Sequence, residues 1–210
     1  TEDIISARRR RVRMMTFDNE PELYKISEHY PGAQVLLRIK VGNEGSVVNL
    51  SLKFGADPEN AYLILRKARS LGLVPMGLSF HVGSQSKNVE NYLQALEISA
   101  NIITEAKEHD VPLKIMDIGG GFPIQHFDNE IGVNFERMAF QIRKQIRQLF
   151  DKKVQFIAEP GRFLVGPAGI LVTQVIGRAF RNNKNYYYLN DGIYGDFSGM
   201  VFDHCKYEFK

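Results

Sequence analysis

The four residues Glu159-Pro160-Gly161-Arg162 set a carboxylate, a rigid turn and a guanidinium side by side. They close the apolar run Val154 to Ala158, which reads as a short buried strand, so Glu159 and Arg162 project from a strand's C-terminal end, where α/β folds place ligands. There Glu159 can hold a proton on a ring nitrogen, or it can cap a turn or pair with an arginine. Gly161 and Arg162 can close a phosphate site, or Arg162 can be a surface ion-pair partner. Upstream, Gly119-Gly120-Gly121 frees the backbone to approach an anion, and its N–H groups can cradle phosphate; a tight turn without ligand is the plain alternative. The spacing is not G-x-G-x-x-G and no Walker lysine follows, which disfavours dinucleotide and P-loop binding. His81 can stack on a planar ligand, act as acid or base, or sit as a satisfied core histidine, while Ser84, beside Gly83, is a hydroxyl suited to phosphate. What raises these readings above their bland alternatives is convergence: each group follows an expected parallel strand, so they gather on one rim.

The elements that must position them follow an alternating pattern. From Val12, short apolar runs alternate with amphipathic stretches of helical period, the signature of a parallel α/β architecture, and five such units are expected. The strands are Arg13 to Phe17, Gln34 to Lys40, Pro75 to Phe80, Leu113 to Asp117 and Val154 to Ala158. A helix to about His29 starts behind Asp18-Asn19-Glu20-Pro21, where a capping side chain precedes proline. A second helix, after Asp57-Pro58, carries Ala61, Ile64, Leu65, Ala68 and Leu71 and stops at Gly72. A third runs from Val89 to Glu108, with Tyr92, Leu96, Ile103 and Ala106 on one face. A fourth carries Phe135, Met138, Ile142, Ile146 and Leu149. The segment Val41 to Gly55 reads as a long, functional or partner-contacting loop. After Arg162 helical periodicity does not return; Ile170 to Ile176 and Tyr186 to Leu189 read as β, so a boundary is placed near residue 166. Five units in roughly 150 residues are too few for a closed (β/α)8 barrel of about 250, so the expectation is an open sheet or part of a barrel.

Composition bounds the function. The chain has 210 residues, 44% of them apolar, enough for a sizeable core, and a net charge of +3 that suggests no general nucleic-acid affinity. The basic run Arg8 to Arg11 reads as a solvated helix end before a strand, or else as a localisation or polyanion patch. One cysteine, Cys205, excludes an internal disulfide, rules out a sulfur metal cluster and fits a reducing cytoplasm. No apolar run approaches the roughly 20 residues of a membrane span, so a soluble, cytoplasmic protein without membrane or metal is expected.

Four segments carry a family resemblance: His81-Val82-Gly83-Ser84, Asp117-Ile118-Gly119-Gly120-Gly121-Phe122-Pro123, Glu159-Pro160-Gly161-Arg162 and Asn190-Asp191-Gly192-Ile193-Tyr194-Gly195, in that order. With Met14-Met15-Thr16-Phe17-Asp18 and Leu52-Lys53-Phe54-Gly55, the chain resembles the ornithine decarboxylase group of fold-type III pyridoxal-phosphate enzymes over nearly its whole length. The resemblance implies a partial TIM-like barrel over residues 1–165 that binds pyridoxal 5'-phosphate (PLP), followed at 166–210 by the start of an alanine racemase-like β domain. It implies that His81 stacks on the pyridine ring, Ser84 and Gly121 contact the phosphate with Gly119 and Gly120 in the same loop, and Glu159 pairs with the ring nitrogen. Pro160, Gly161 and Arg162 then finish the site, and Arg38 lies near ring or phosphate. Lys53 implies a homodimer with shared active sites.

The implied activity is decarboxylation of a basic amino acid, L-ornithine to putrescine for polyamine synthesis first, with lysine, arginine or diaminopimelate behind it. The group's Schiff-base lysine and distal catalytic cysteine match no position here, and Cys205 does not fit the latter. The chain is therefore expected to be an internal fragment, inactive alone. A catalytically inert regulatory homologue is the rival expectation, and retention of His81, Glu159 and Arg162 speaks against it.

Overall fold

The computed structural model describes residues 1–46, 53–125, 132–203 and 207. Its centre is a five-stranded parallel sheet of β1 (Met14–Phe17), β2 (Gln34–Arg38), β3 (Val74–Ser79), β4 (Ile115–Asp117) and β5 (Gln155–Ile157), hydrogen-bonded in that order. The order is strictly sequential, without the reversal that defines a doubly wound sheet, so the sheet is an arc of a (β/α)8 barrel. This decides between the two architectures that the strand count left open.

Each connection carries the helix that periodicity predicts. After α1 (Glu2–Arg9), the helices are α2 (Glu20–His29), α3 (Ala61–Ser70), α4 (Glu90–Glu108) and α5 (Phe135–Leu149). The Asn19 side chain accepts the Glu22 N–H at 3.0 Å and so caps α2 ahead of Pro21. Beyond α3, Gly72 adopts a left-handed φ of +75, a stop that a side chain would strain. The run Arg8 to Arg11 is the solvent-exposed end of α1 and the turn after it.

Strand alternation sorts the core into two faces. Val35, Leu37, Leu78, Phe80, Met116 and Ile118 join one apolar cluster with Leu23, Leu65, Ala68, Tyr92, Leu96, Met138 and Ile142 of the helices. The opposite face carries Leu36, Gly77 and Ile115 in register, then Arg38, Ser79 and Asp117 in register one step nearer the C-terminal ends. A Cβ at Gly77 would lie 1.8 Å from the Ile115 carbonyl oxygen, so that row closes only around a glycine. The inner face thus turns from apolar to polar as it approaches the rim.

Three expectations need correction. The run Ile170 to Ile176 is strand only at its last two residues: the second sheet is an antiparallel hairpin of β6 (Val175–Arg181) and β7 (Lys184–Leu189), turned by Asn182 and Asn183 at positive φ. Ile170 and Val172 are 91% and 87% exposed; β-branched composition makes no strand without a neighbour to pair with, and these two have none among the described residues. Helical structure does return after Arg162, as the short α6 (Gly161–Val165) and α7 (Gly199–Phe202). Strand β2 ends at Arg38, and Ile39 continues only as an isolated parallel bridge to Ala56. Of the expected long loop, residues 47–52 lie outside the described residues, as does Cys205. Among the described residues no helix is long and apolar enough to cross a membrane.

Candidate functional site

The site grows from the C-terminal ends of β3, β4 and β5. Beyond β3 the chain runs through His81, Gly83, Ser84 and Gln85. Beyond β4 it enters the three glycines, and beyond β5 it reaches Glu159. These three loops are stitched together by backbone bonds: Glu159 N–H donates to the Gly119 carbonyl at 2.8 Å, and Ser86 N–H donates to the Gly121 carbonyl at 2.8 Å. Pro160, at φ −78 and ψ 64, forms a tight turn in which Gly161 N–H returns to the Glu159 carbonyl at 2.8 Å.

The glycine triplet owes its composition to this stitching. Gly119 and Gly121 sit at φ +63 and +89, and a Cβ on them would fall 2.2 Å from the Phe80 carbonyl oxygen and 2.1 Å from that of Gly83. Gly120 has an ordinary φ, yet its Cβ would be 2.5 Å from the Glu159 carbonyl oxygen. The absent side chains let three loops approach backbone to backbone. Two further groups hold the triplet in place: the Asp117 carboxylate accepts the Gly119 N–H at 2.9 Å, and the fully buried Tyr92 hydroxyl on α4 donates to the Gly120 carbonyl at 2.9 Å. Burial pushes the Tyr92 hydroxyl pKa up, which keeps it a donor.

A cleft of about 230 Å³ opens on this rim, lined by His81, Ser84, Gln85, Gly121, Phe122, Glu159, Pro160, Gly161, Arg162 and Phe163. His81 Nδ1 accepts the Gly83 N–H at 3.0 Å, so in the neutral ring the proton sits on Nε2. Its ring lies over the glycine loop, with Cε1 3.4 Å from where a Gly121 Cβ would stand. Burial, and secondly the Arg38 guanidinium, lower the His81 pKa, so the imidazole is held neutral. Asp117 is shifted up, first by burial, against the Gly119 N–H that favours its charge, and with repulsion from Glu159 adding to the rise. The Glu159 carboxylate and the Ser84 hydroxyl make no hydrogen bond or ion pair among the described residues, and both face the cleft.

Of the residues predicted from sequence, His81, Ser84, Gly121, Glu159, Pro160, Gly161 and Arg162 therefore come together. Gly119 and Gly120 lie behind the cleft as its supporting turn. Arg38 is close enough to His81 to act on its proton affinity, but its guanidinium stacks on Phe54 with 5.0 Å to the ring centroid and does not line the cleft. Lys53 does not line the cleft; its ammonium also lies over the Phe54 ring, 5.0 Å from the centroid. Arg162 lines the cleft, and its guanidinium is ion-paired with the Asp203 carboxylate. The Asn190 to Gly195 motif is a turn after β7, pinned by the Asp191 carboxylate, which accepts the Gly192 N–H at 2.7 Å and the Asp196 N–H at 3.2 Å.

Sequence reasoning missed Gln85, Asp203 and the polar role of Tyr92. Tyr92 falls on the apolar face of its helix, and a buried tyrosine hydroxyl requires a partner, so the sequence carries a signal for it. Nothing in the sequence marks Asp203, which is 41 residues from Arg162. Among the described residues no group of three or more His, Cys, Asp or Glu could hold a metal ion.

The family model described as "Pyridoxal-dependent decarboxylase, pyridoxal binding domain" matches residues 1–166. The chain belongs to the pyridoxal-dependent decarboxylase family. Among its relatives is a lysine/ornithine decarboxylase of Selenomonas ruminantium, 43% identical over 93% of this chain and 49% of that protein. Another is antizyme inhibitor 2 of Xenopus laevis, 37% identical over 92% of this chain and 45% of that protein. A solved SrLDC mutant in complex with PLP superposes with a TM-score of 0.90 at 42% identity, covering 96% of this chain and 52% of the other. Further relatives are named ornithine and arginine decarboxylases. The chain thus spans about half the length of the curated relatives it matches.

PLP is the cofactor of this family, and the donor set at the rim fits it. A phosphate needs a hydroxyl, a backbone N–H and room: Ser84 offers the first, Gly121 the second and Gly161 the third, since a Cβ there would meet nothing within 4 Å. A pyridine nitrogen that must carry a proton needs an uncommitted carboxylate, and Glu159 is one.

Proposed function

We propose that the protein containing this chain is a PLP-dependent decarboxylase of a basic amino acid, with L-ornithine, converted to putrescine, as the leading substrate and lysine next. The observation that carries this is the convergence of a neutral imidazole, an uncommitted carboxylate and a glycine-cradled hydroxyl on one cleft at the strands' C-terminal rim. When bound, the cofactor's ring supplies an electron sink for the bond that breaks as CO₂ leaves.

The chain's residues prepare that chemistry. Glu159 holds a proton at the ring nitrogen, maintaining the positive charge that draws electrons inward. His81, kept neutral by burial and by Arg38, packs on the ring without adding a competing cation. Ser84 and the Gly121 N–H orient the phosphate, Gly161 leaves it room, and Arg162 adds positive potential there, tempered by Asp203. Phe122 and Phe163 keep the cleft floor apolar, part of a ring cluster in which Tyr92 stacks on Phe122 at 5.3 Å. Lys53 is exposed, and we assign it to a partner subunit's carboxylate in a homodimer, with the cytoplasm as the proposed compartment.

The test is spectroscopic and kinetic on the complete protein. Loaded with PLP it should show visible absorbance at roughly 420 nm and release CO₂ from ornithine faster than from lysine, arginine or diaminopimelate. Glu159→Gln should lower turnover by at least about a hundredfold with little change in folding, since it removes a proton acceptor and little packing. Wild-type turnover in that variant would refute the role of Glu159. The similarity to antizyme inhibitor 2 favours one second reading, an inert regulatory homologue; a complete protein that folds but neither takes up PLP nor turns over any of the four amino acids would establish it.

A further inference from the structure

We propose that Gln85 is a positioning residue for the phosphate end of the cleft: its side-chain amide clasps the backbone of Ile124 and fixes the spacing between the loops that carry Ser84 and Gly121. The inference rests on the PLP reading above and deepens it.

Ser84 and Gly121 come from different loops, one after β3 and one after β4, so a phosphate held between them needs their separation set by something other than the ligand. Gln85 directly follows Ser84 and lines the same cleft. Its Oε1 accepts the Ile124 N–H at 2.9 Å and its Nε2 donates to the Ile124 carbonyl at 3.4 Å. One amide therefore satisfies both polar groups of one residue, as a neighbouring strand would. The next residue repeats the link, Ser86 N–H donating to the Gly121 carbonyl, and the fully buried Ser86 hydroxyl in turn accepts from Asn91 Nδ2 at 3.1 Å.

The clasp is buried, with Gln85 only 6% exposed, and its backbone sits at φ +54, where side chains other than Gly, Asn and Asp are uncommon. Packing alone would be served by an apolar side chain, and the backbone alone by glycine. Only a long amide meets the left-handed turn, the burial and the two Ile124 groups together. Consequently the loops are preorganised before the ligand arrives, and the phosphate meets donors already in place.

The experiment compares the complete wild-type protein with Gln85→Asn and Gln85→Met, titrating each by absorbance with PLP and with pyridoxal, which lacks the phosphate. Asparagine tolerates the left-handed backbone and keeps the amide but is one methylene too short; methionine keeps the length without either hydrogen bond. PLP affinity should fall about tenfold in both variants while pyridoxal affinity changes less than about threefold. Parallel losses for the two ligands, or no loss of PLP affinity, would overturn the inference and leave the PLP reading intact. A wild-type protein that binds no PLP overturns the PLP reading and the inference with it. Should neither variant fold, amide hydrogen exchange decides: Ile124 N–H should be protected in the apo-protein, and rapid exchange there contradicts a preformed clasp.

Discussion

Gly120 and Gly161 are both glycines of the rim, and a methyl group on each should do opposite things. In Gly120→Ala the new Cβ would stand 2.5 Å from the Glu159 carbonyl oxygen, and neither side can retreat freely. The Glu159 N–H is bonded to the Gly119 carbonyl, and the Gly120 carbonyl is bonded to Tyr92. Forcing the loops apart in a packed setting costs roughly 1–3 kcal/mol. At about 2–4 °C per kcal/mol for a chain of this size, the thermal midpoint should fall by about 2–12 °C. In Gly161→Ala nothing lies within 4 Å of the new methyl, and the position begins a helical turn, so stability should hold or rise by up to about 1 kcal/mol. Gly161 lines the cleft, so the effect of the methyl should appear in PLP affinity. The assay is thermal unfolding of the complete apo-proteins by circular dichroism, paired with PLP titration. An unchanged midpoint for Gly120→Ala, or a larger drop for Gly161→Ala than for Gly120→Ala, would refute the claim that loop-to-loop contact dictates the triplet.

Two further outcomes follow from the same geometry. Tyr92→Phe removes only the hydroxyl and strands the Gly120 carbonyl in a buried setting, which should destabilise by about 1–2 kcal/mol in urea unfolding; a loss below about 0.3 kcal/mol would show that the bond contributes nothing. For His81, burial makes the native imidazole a poorer proton acceptor than the unfolded chain's, so the unfolded state binds more protons and its contribution to stability is lost as pH falls below the ordinary value of 6.5. NMR titration should place the His81 pKa below 6.5, and Arg38→Met should raise it; a pKa at or above the ordinary value would contradict both causes.

Much of this was already legible in the chain. The period of the apolar residues placed four connecting helices and five strands because an amphipathic stripe and a buried run have no other stable use in a chain of this composition. Residues such as His81, Ser84, Gly121, Glu159 and Arg162 could be assigned to one rim because parallel strands deliver their C-terminal ends to one side. Where propensity stood alone it misled: Ile170 to Thr173 has the composition of a strand but pairs with no strand among the described residues, and pairing is a tertiary event.

The sequence by itself determined the alternation of elements, the family motifs and the kinds of group brought to the rim, since these depend on local period and residue chemistry. Only the tertiary structure decided the rest. It showed that the sheet is a sequential arc, that the glycine triplet serves contact between loops, that Arg162 meets Asp203, and that Gln85 bridges to Ile124. Each of these depends on two segments distant in sequence coming within bonding range, and no one-dimensional period encodes that distance.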